Sequence, residues 1–155
     1  MSVLARSPLL RIQDMTDTAD QLKALALEAF DALFNKRDYP AAERFWSPNY
    51  IRHSAHIEPG RKGLFELVKA SPPEMRYENA LVAANGDYVI LHGRFTNIGQ
   101  PATWIAADIV RIEDGLLAEH WHIIQDEATR QNPRAGTRCQ TPIPFLASPV
   151  QPHKE

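Results

Sequence analysis

The sequence lacks most of the features that mark a secreted, membrane-bound or nucleic-acid-binding protein. It contains one cysteine, Cys139, which excludes an intrachain disulfide and a cysteine-rich metal site. No apolar run approaches the roughly 20 residues of a transmembrane helix, and Arg6 and Pro8 interrupt the apolar start. A net charge of −2 disfavours nucleic-acid binding driven by overall charge. These absences predict a cytoplasmic protein without a membrane or nucleic-acid partner.

The length and composition predict one globular domain. A chain of 155 residues can bury a sizeable core but does not divide comfortably into two domains. We place the domain at residues 18–126, after an N-terminal arm at 1–17. Residues 127–155 are polar and proline-rich, which predicts an extended or partly disordered C-terminal arm.

The N-terminal half has the periodicity of helices. Apolar residues at helical spacing predict a first helix over residues 18–36, capped by Asp17 or Thr18. A second helix is predicted over 39–46, capped by Asp38, and a third over 61–70. Residues 50–53 form a short extended segment between the last two helices.

The C-terminal half has the alternation of strands. Two hairpins are predicted, one with strands 75–84 and 88–98 around Asn85-Gly86 and one with strands 102–112 and 116–125 around Asp114-Gly115. Helices followed by an antiparallel meander indicate an α+β fold, with the helices on one face of a curved sheet. Such a sheet tends to enclose a cone-shaped pocket for a small ligand.

Asp108 is the most informative single residue, because it lies in an otherwise apolar strand. A carboxylate is rarely buried without a partner, so Asp108 has either a structural partner or a task. A two-residue turn at Asp114-Gly115 would place Trp121 opposite Asp108, whereas a three-residue turn would place His120 there. His92 also lies in mid-strand among apolar residues. The structural alternative is that Asp108 pairs with an arginine or the backbone, and that His92 is an ordinary hydrogen-bonded histidine.

The spacing of the histidines is what the sequence offers toward a metal site. His53-x-x-His56 and His120-x-His122 together offer up to four imidazoles, and the second pair shares one face of a strand. Neither spacing is one of the strong zinc patterns, so we predict no metal.

The second hairpin and the segment around His53 resemble a known family. The stretch from Trp104 to Gln125, with its Asp-Ile-x-Arg-x-Glu-Asp-Gly-x-x-x-Glu-His-Trp core, closely resembles the SnoaL-like polyketide cyclases of the nuclear transport factor 2-like superfamily. Tyr50-Ile-Arg-His53 and Gly60-Arg-Lys-Gly63 resemble the Tyr-Ile-Gln-His-Asn-Pro segment and following helix of the same family. The similarity covers about residues 20–145 and is nearest to the subgroup described as predicted SnoaL-like aldol-condensation enzymes.

The resemblance implies a cone of curved antiparallel sheet closed by three helices, a homodimer formed through the sheet, and no cofactor. In the cyclases an aspartate and a histidine form the acid–base pair. The candidate catalytic residues here are therefore Asp108 with His120, His53 or His92. The expected ligand is a small hydrophobic or aromatic carbonyl compound, held by Trp46, Tyr50, Phe65, Trp104 and Trp121.

The leading functional hypothesis is a cofactor-independent cyclase or isomerase in which Asp108 removes a proton beside a carbonyl. The alternative is a non-catalytic module that binds a small ligand or a protein, with Asp108 locked by structural donors. Two departures from the subgroup distinguish this chain. His122 stands where an aspartate is common after His-Trp, and Ser54-Ala55 replaces Asn-Pro beside His53.

Overall fold

The computed structural model describes residues 8–128, with side chains from residue 18 onward. The proline-rich arm predicted over 127–155 therefore lies almost entirely outside the described residues, as does the first part of the predicted N-terminal arm. None of the helices in the described part is long and apolar enough to cross a membrane.

The first helix, α1, spans Pro8–Phe30 and continues into a π-helical turn at Asp31–Asn35. It begins well before the predicted start at Thr18, so Asp17 and Thr18 lie inside the helix and not at its cap. Proline suits the first turn of a helix, and no later glycine or proline interrupts this segment. The predicted apolar stripe is confirmed by its buried members, which are Ala26, Ala29, Phe30, Leu33 and Phe34.

Two shorter helices follow, α2 at Tyr39–Ala42 and α3 at Gly60–Ala70. Asp38 caps α2 as predicted, because its carboxylate accepts a hydrogen bond from the Ala41 N–H at 3.1 Å. Helix α2 ends before the predicted Trp46. The Phe45 carbonyl instead accepts a hydrogen bond from the Leu117 N–H, at 2.7 Å, so pairing with the sheet overrides the local helical pattern here.

Five strands form one curved sheet in the order β1-β5-β4-β3-β2. Their bounds are β1 Trp46–His53, β2 Arg76–Asn85, β3 Tyr88–Thr96, β4 Trp104–Glu113 and β5 Leu116–Asp126. Strand β1 runs parallel to β5, whereas the other neighbours are antiparallel. Helix α1 packs against β2 and β3, and α3 packs against β1. The predicted α+β class, with helices on one face of an antiparallel meander, is confirmed.

The hairpin between β4 and β5 has the predicted turn but neither of the two predicted registers. Asp114 and Gly115 both have positive φ angles, of 52° and 73°, as a two-residue turn of this kind requires. Beyond the turn, Ile112 pairs with Leu117 but Arg111 pairs with Glu119, so Ala118 forms a bulge. The extra residue places His122 opposite Asp108, where Trp121 or His120 was expected.

Side-chain alternation gives the sheet an inner face, covered by the helices, and an outer face. The inner face carries buried residues of β3 and β4, namely Val89, Leu91, Phe95, Ala106, Asp108, Val110 and Ile112. The outer face carries more exposed residues from all the strands, among them Ile51, Leu81, Tyr88, Ile90 and Ile123. Asp108 and His120 are the buried polar or charged residues of the described chain, and both belong to the inner face.

Tyr77 is fixed on the inner face by contacts with the π-helical turn and with β3. The Asn35 side chain donates to the Tyr77 carbonyl at 3.1 Å and accepts from the Tyr77 N–H at 2.8 Å. The ring lies over Gly93, where an added Cβ would stand only 2.7 Å from the Tyr77 hydroxyl oxygen. Glycine at residue 93 therefore makes room for an aromatic ring beside the interior polar residues.

Candidate active site

Three side chains from three adjacent strands form a buried hydrogen-bonded row on the inner face. Tyr50 Oη lies 2.8 Å from His120 Nδ1, and His120 Nε2 lies 2.7 Å from Asp108 Oδ1. Relative exposure is 3% for Tyr50, 2% for His120 and 4% for Asp108. The bulge at Ala118 creates this row, since His120 is the diagonal neighbour of Asp108 and reaches it across the strand pair.

The protons in this row follow from the chemistry of its members. An ionised carboxylate only accepts, so the His120 Nε2–H donates to Asp108. With the imidazole neutral, Nδ1 accepts and the Tyr50 hydroxyl is the donor. Burial raises the pKa of Tyr50 to about 12, against the opposing effect of the nearby Arg52 charge, and so keeps the phenol protonated.

His120 has no ring nitrogen left for a ligand in this arrangement. Both nitrogens are engaged, one by Tyr50 and the other by Asp108. In this arrangement His120 holds one oxygen of the Asp108 carboxylate in place through Nε2.

Asp108 has a free oxygen. Among the described residues, Asp108 Oδ2 is buried and has no hydrogen-bond partner. Leaving such an atom unpaired is costly, so an unpaired buried oxygen calls for an explanation. Burial raises the pKa of the Tyr77 hydroxyl, and the negative charge of Asp108 raises it further, which keeps this neighbouring ring a neutral phenol.

A second polar pair lies beside the row. Arg52, on β1, places Nη2 3.2 Å from Nδ1 of His122, which is the residue opposite Asp108 on β5. Because arginine only donates, His122 Nδ1 accepts and the imidazole proton lies on Nε2. Desolvation lowers the pKa of His122 below 6.5, and the Arg52 charge lowers it further. His122 is therefore neutral around pH 7.

Three predicted site residues lie on the outer face. His53 pairs with Trp121 across the parallel strands, and their rings stack at 4.6 Å with an interplanar angle of 3°. His92 pairs with Ala107, while its neighbour Leu91 pairs with Asp108, so His92 points away from the carboxylate. The structure therefore does not bring these three side chains to Asp108. Successive residues of a strand alternate between faces, and Asp108 falls on the other one.

The remaining predicted ligand-binding residues are on the inner side. Trp46 is buried and meets Phe65 of α3 edge to face, with ring centroids 5.7 Å apart. Trp104 is partly buried and packs against the core on the same face as Asp108. These aromatic side chains belong to the hydrophobic core on the inner side of the sheet.

Within residues 18–128, no three His, Cys, Asp or Glu side chains are grouped in a way that could hold a metal ion.

Sequence reasoning missed Arg52 and Tyr77, and it treated His122 only as a candidate metal ligand and as a departure from the family pattern. Alternation along β5 already indicated that His122 shares a face with His120. Arg52 gave no comparable signal, because its strand pairs with a segment far away in the sequence.

The fold is shared with several solved structures. A candidate ketosteroid isomerase from Kribbella flavida DSM 17836 is 16% identical, with a TM-score of 0.62 and coverage of 72% of this chain and 82% of that one. A nuclear transport factor 2-like protein of unknown function from Cytophaga hutchinsonii ATCC 33406 is 19% identical, with a TM-score of 0.58 and coverage of 67% and 89%. IdmH, a candidate polyketide cyclase from Streptomyces antibioticus, is 21% identical, with a TM-score of 0.55 and coverage of 67% of this chain and 91% of that one. At these identities the likeness shows the fold.

A search of curated protein sequences finds no match to this chain. The sequence profile of the SnoaL-like domain matches residues 27–120, more than half of the chain, and includes Asp108 and His120. The fold is nuclear transport factor 2-like, and the chain belongs to the SnoaL-like domain family.

Proposed function

We propose that this protein is a cofactor-independent enzyme that removes and returns a proton beside the carbonyl of a hydrophobic compound. Asp108 Oδ2 is the base. It takes a proton from the α-carbon, the C–H electron pair forms the enolate, and the same proton or another is returned at a later step. Aldol ring closure, isomerisation and dehydration all use this step.

The observation that carries the proposal is the asymmetry of the Asp108 carboxylate. One oxygen is fixed by His120, whereas the other is buried and lacks a partner among the described residues. A base needs a free lone pair held in a defined direction, and this arrangement supplies one. A non-catalytic module was expected to have Asp108 locked by structural donors on all sides, which is not the arrangement found.

The solved structures named above support the same class of chemistry. Two of them carry names in the isomerase and polyketide cyclase classes, which are the classes of reaction proposed for this chain. Their low identity gives no substrate. The inner face adds only that the substrate meets aromatic and aliphatic side chains, which favours a hydrophobic ring system.

The test is exchange of α-protons for deuterium, which needs no knowledge of the final product. A panel of enolisable aromatic ketones, including 2-tetralone, is incubated with the protein in D2O and followed by proton NMR. Asp108→Asn keeps the shape of the side chain but removes the base, so catalysed exchange should fall by at least about 100-fold. Asp114→Asn, in the exposed turn between β4 and β5, is the matched control and should retain wild-type exchange. Equal exchange by wild type and Asp108→Asn, or no catalysed exchange across the panel, would contradict the proposal.

We also propose that two copies pair through the outer face of the sheet. This face exposes large apolar side chains on four of the strands, with relative exposures of 50% for Ile51, 61% for Leu81, 44% for Ile90 and 69% for Ile123. Apolar residues gathered on one surface favour an interface with another protein surface. The family resemblance points to a second copy of this chain as the partner.

A further inference from the structure

Arg52 is a cation on the inner face that the proposed reaction has not yet used. Its Nη2 is bound to His122, but among the described residues its Nε and Nη1 atoms are buried and have no hydrogen-bond partner. A guanidinium with buried and unused donor atoms has a strong preference for an anionic acceptor.

Arg52 and Asp108 belong to one electrostatic cluster, although they do not form an ion pair with each other in the described structure. Asp108 faces His122 across the sheet, and His122 contacts Arg52. The charges of Arg52 and Asp108 also act in opposite directions on the pKa of His122. The negative and positive charges are therefore held apart on one inner surface.

His122 extends the donor set. Its Nδ1 accepts from Arg52, which leaves Nε2–H as a second donor on the same side of the sheet. A neutral imidazole is suited to donate to an oxygen that is gaining charge without itself adding a second cation beside Arg52.

We propose that Arg52 and His122 form an oxyanion-binding site that holds the ionised oxygen of an enol or phenol while Asp108 carries the proton. This inference rests on the proposed function and assigns the residues that stabilise its intermediate. Before the reaction the cluster holds one anion, Asp108, and one cation, Arg52, around a neutral substrate. When the C–H bond breaks and the Asp108 O–H bond forms, the negative charge moves to the substrate oxygen, and the cluster keeps its overall charge.

The charge balance also indicates the ligand class. A substrate that is already anionic would meet the Asp108 carboxylate at the same surface and leave the cluster with a net negative charge next to a buried carboxylate. A neutral carbonyl compound with an acidic α-proton has no such cost. The site is therefore suited to neutral ketones that give stabilised enolates.

The test uses 4-nitrophenol, whose ionised form absorbs visible light and whose neutral form does not, so that the spectrum reports the bound state. Asp108→Asn imitates the protonated base, because the amide carries no charge. This variant should bind the phenolate at least about tenfold more tightly than wild type does. Adding Arg52→Gln to Asp108→Asn should weaken phenolate binding by at least about tenfold, and binding of the neutral 4-nitroanisole should stay unchanged.

The matched control is Arg111→Gln, which removes an arginine from the outer face, where it pairs with Glu119. Added to Asp108→Asn, it should leave phenolate affinity unchanged. Should Arg52→Gln fail to fold, Arg52→Lys and His122→Gln serve in its place, and each should weaken the phenolate severalfold.

Unchanged phenolate affinity after loss of Arg52, an equal loss for 4-nitroanisole, or a folded Asp108→Asn protein that does not bind the phenolate would each overturn the inference. Binding involves no turnover, so this result is separable from deuterium exchange. If Asp108→Asn abolishes exchange while Arg52 has no effect on phenolate binding, the proposed function stands and the oxyanion site falls. If Asp108→Asn retains exchange, the proposed function falls and takes this inference with it.

Discussion

Strand β5 takes part in two histidine–carboxylate pairs of the same length on opposite faces of the sheet. On the inner face His120 Nε2 lies 2.7 Å from Asp108 Oδ1, and on the outer face His53 Nε2 lies 2.7 Å from Glu119 Oε1. The side chains of the inner pair are 3% and 5% exposed, and those of the outer pair 44% and 19%. Distance does not distinguish the two pairs, so any difference in their roles comes from solvent and from their other partners.

In the outer pair, both oxygens of the carboxylate have a partner. Glu119 binds His53 with one oxygen and Arg111 with the other, and both contacts lower its pKa, the hydrogen bond from His53 most of all. A carboxylate held in this way at the surface is a poor base and contributes little stability. The inner carboxylate has a single hydrogen bond and a free oxygen. The comparison shows why a histidine next to an acid, as read from sequence, does not identify a site.

The largest expected effect on stability comes from removing one partner of the inner pair, and the same change in the outer pair is the comparison. His120→Leu removes the hydrogen bond to Asp108 and leaves a buried carboxylate without it, which should lower the free energy of unfolding by about 3–5 kcal/mol. Glu119→Gln on the outer face should cost about 1 kcal/mol or less. Urea denaturation of both variants measures the difference.

A double variant tests whether the cost comes from the stranded charge. Adding Asp108→Asn to His120→Leu should recover part of the lost stability, because an amide is less costly to bury than a carboxylate. If the double variant is as unstable as the sum of the single variants, lost packing explains the result and the charge does not.

The same contrast holds for apolar side chains that are neighbours on β3. Leu91 is fully buried on the inner face, whereas Ile90 is 44% exposed on the outer face. Leu91→Ala should therefore cost about 2–5 kcal/mol, and Ile90→Ala about 1 kcal/mol or less, in the same denaturation experiment at protein concentrations low enough to keep the chains monomeric. A larger loss for Ile90→Ala at higher protein concentration would mean that the proposed pairing buries the outer face.

Self-association through the outer face of the sheet can be measured directly. Ile123→Glu places a charge in the exposed apolar surface and should weaken self-association by at least tenfold, equal to about 1.4 kcal/mol. Sedimentation over a range of protein concentrations measures it. Leu67→Glu, at an exposed apolar residue of α3, is the matched control and should leave association unchanged. A wild-type protein that sediments as a monomer throughout would contradict the proposed pairing.

The sequence predicted the parts of the fold that depend on nearby residues. The helical stripe of α1, the Asp38 cap and the turn at Asp114-Gly115 follow from local spacing and turn chemistry, as does the apolar surrounding of Asp108. The bulge could not be predicted from alternation, because alternation assumes a regular strand. A regular strand would place the successive residues Leu117 and Ala118 on opposite faces, whereas both are buried. That single residue decides whether His120 reaches Asp108.

The contribution of Arg52 depends on a pairing between distant segments. Strand β1 is parallel to β5 and irregular between Trp46 and Ile51, so neither its register nor the inward direction of Arg52 has a local signal. The family pattern located Asp108 and His120 but not Arg52, Tyr77 or the positions of His53, His92 and Trp121. Those depend on which face of the finished sheet each residue occupies.

The smallest expected effect is a pH dependence that belongs to His122 on the inner face. Its pKa is lowered below 6.5 in the folded protein, chiefly by desolvation and then by Arg52 and His120, with Asp108 opposing. Between that lowered value and 6.5 the unfolded chain binds more protons than the folded one, so stability is complete above pH 6.5 and falls as the pH drops through this window. His122→Gln should remove this part of the dependence of stability on pH, measured as the difference in the free energy of unfolding between wild type and variant at each pH.

The imidazole signals in NMR offer a sharper measurement, because Asp108→Asn removes the one charge that opposes the shift and should lower the pKa of His122 further. An unchanged or raised pKa after Asp108→Asn would show that the Asp108 charge does not act on His122.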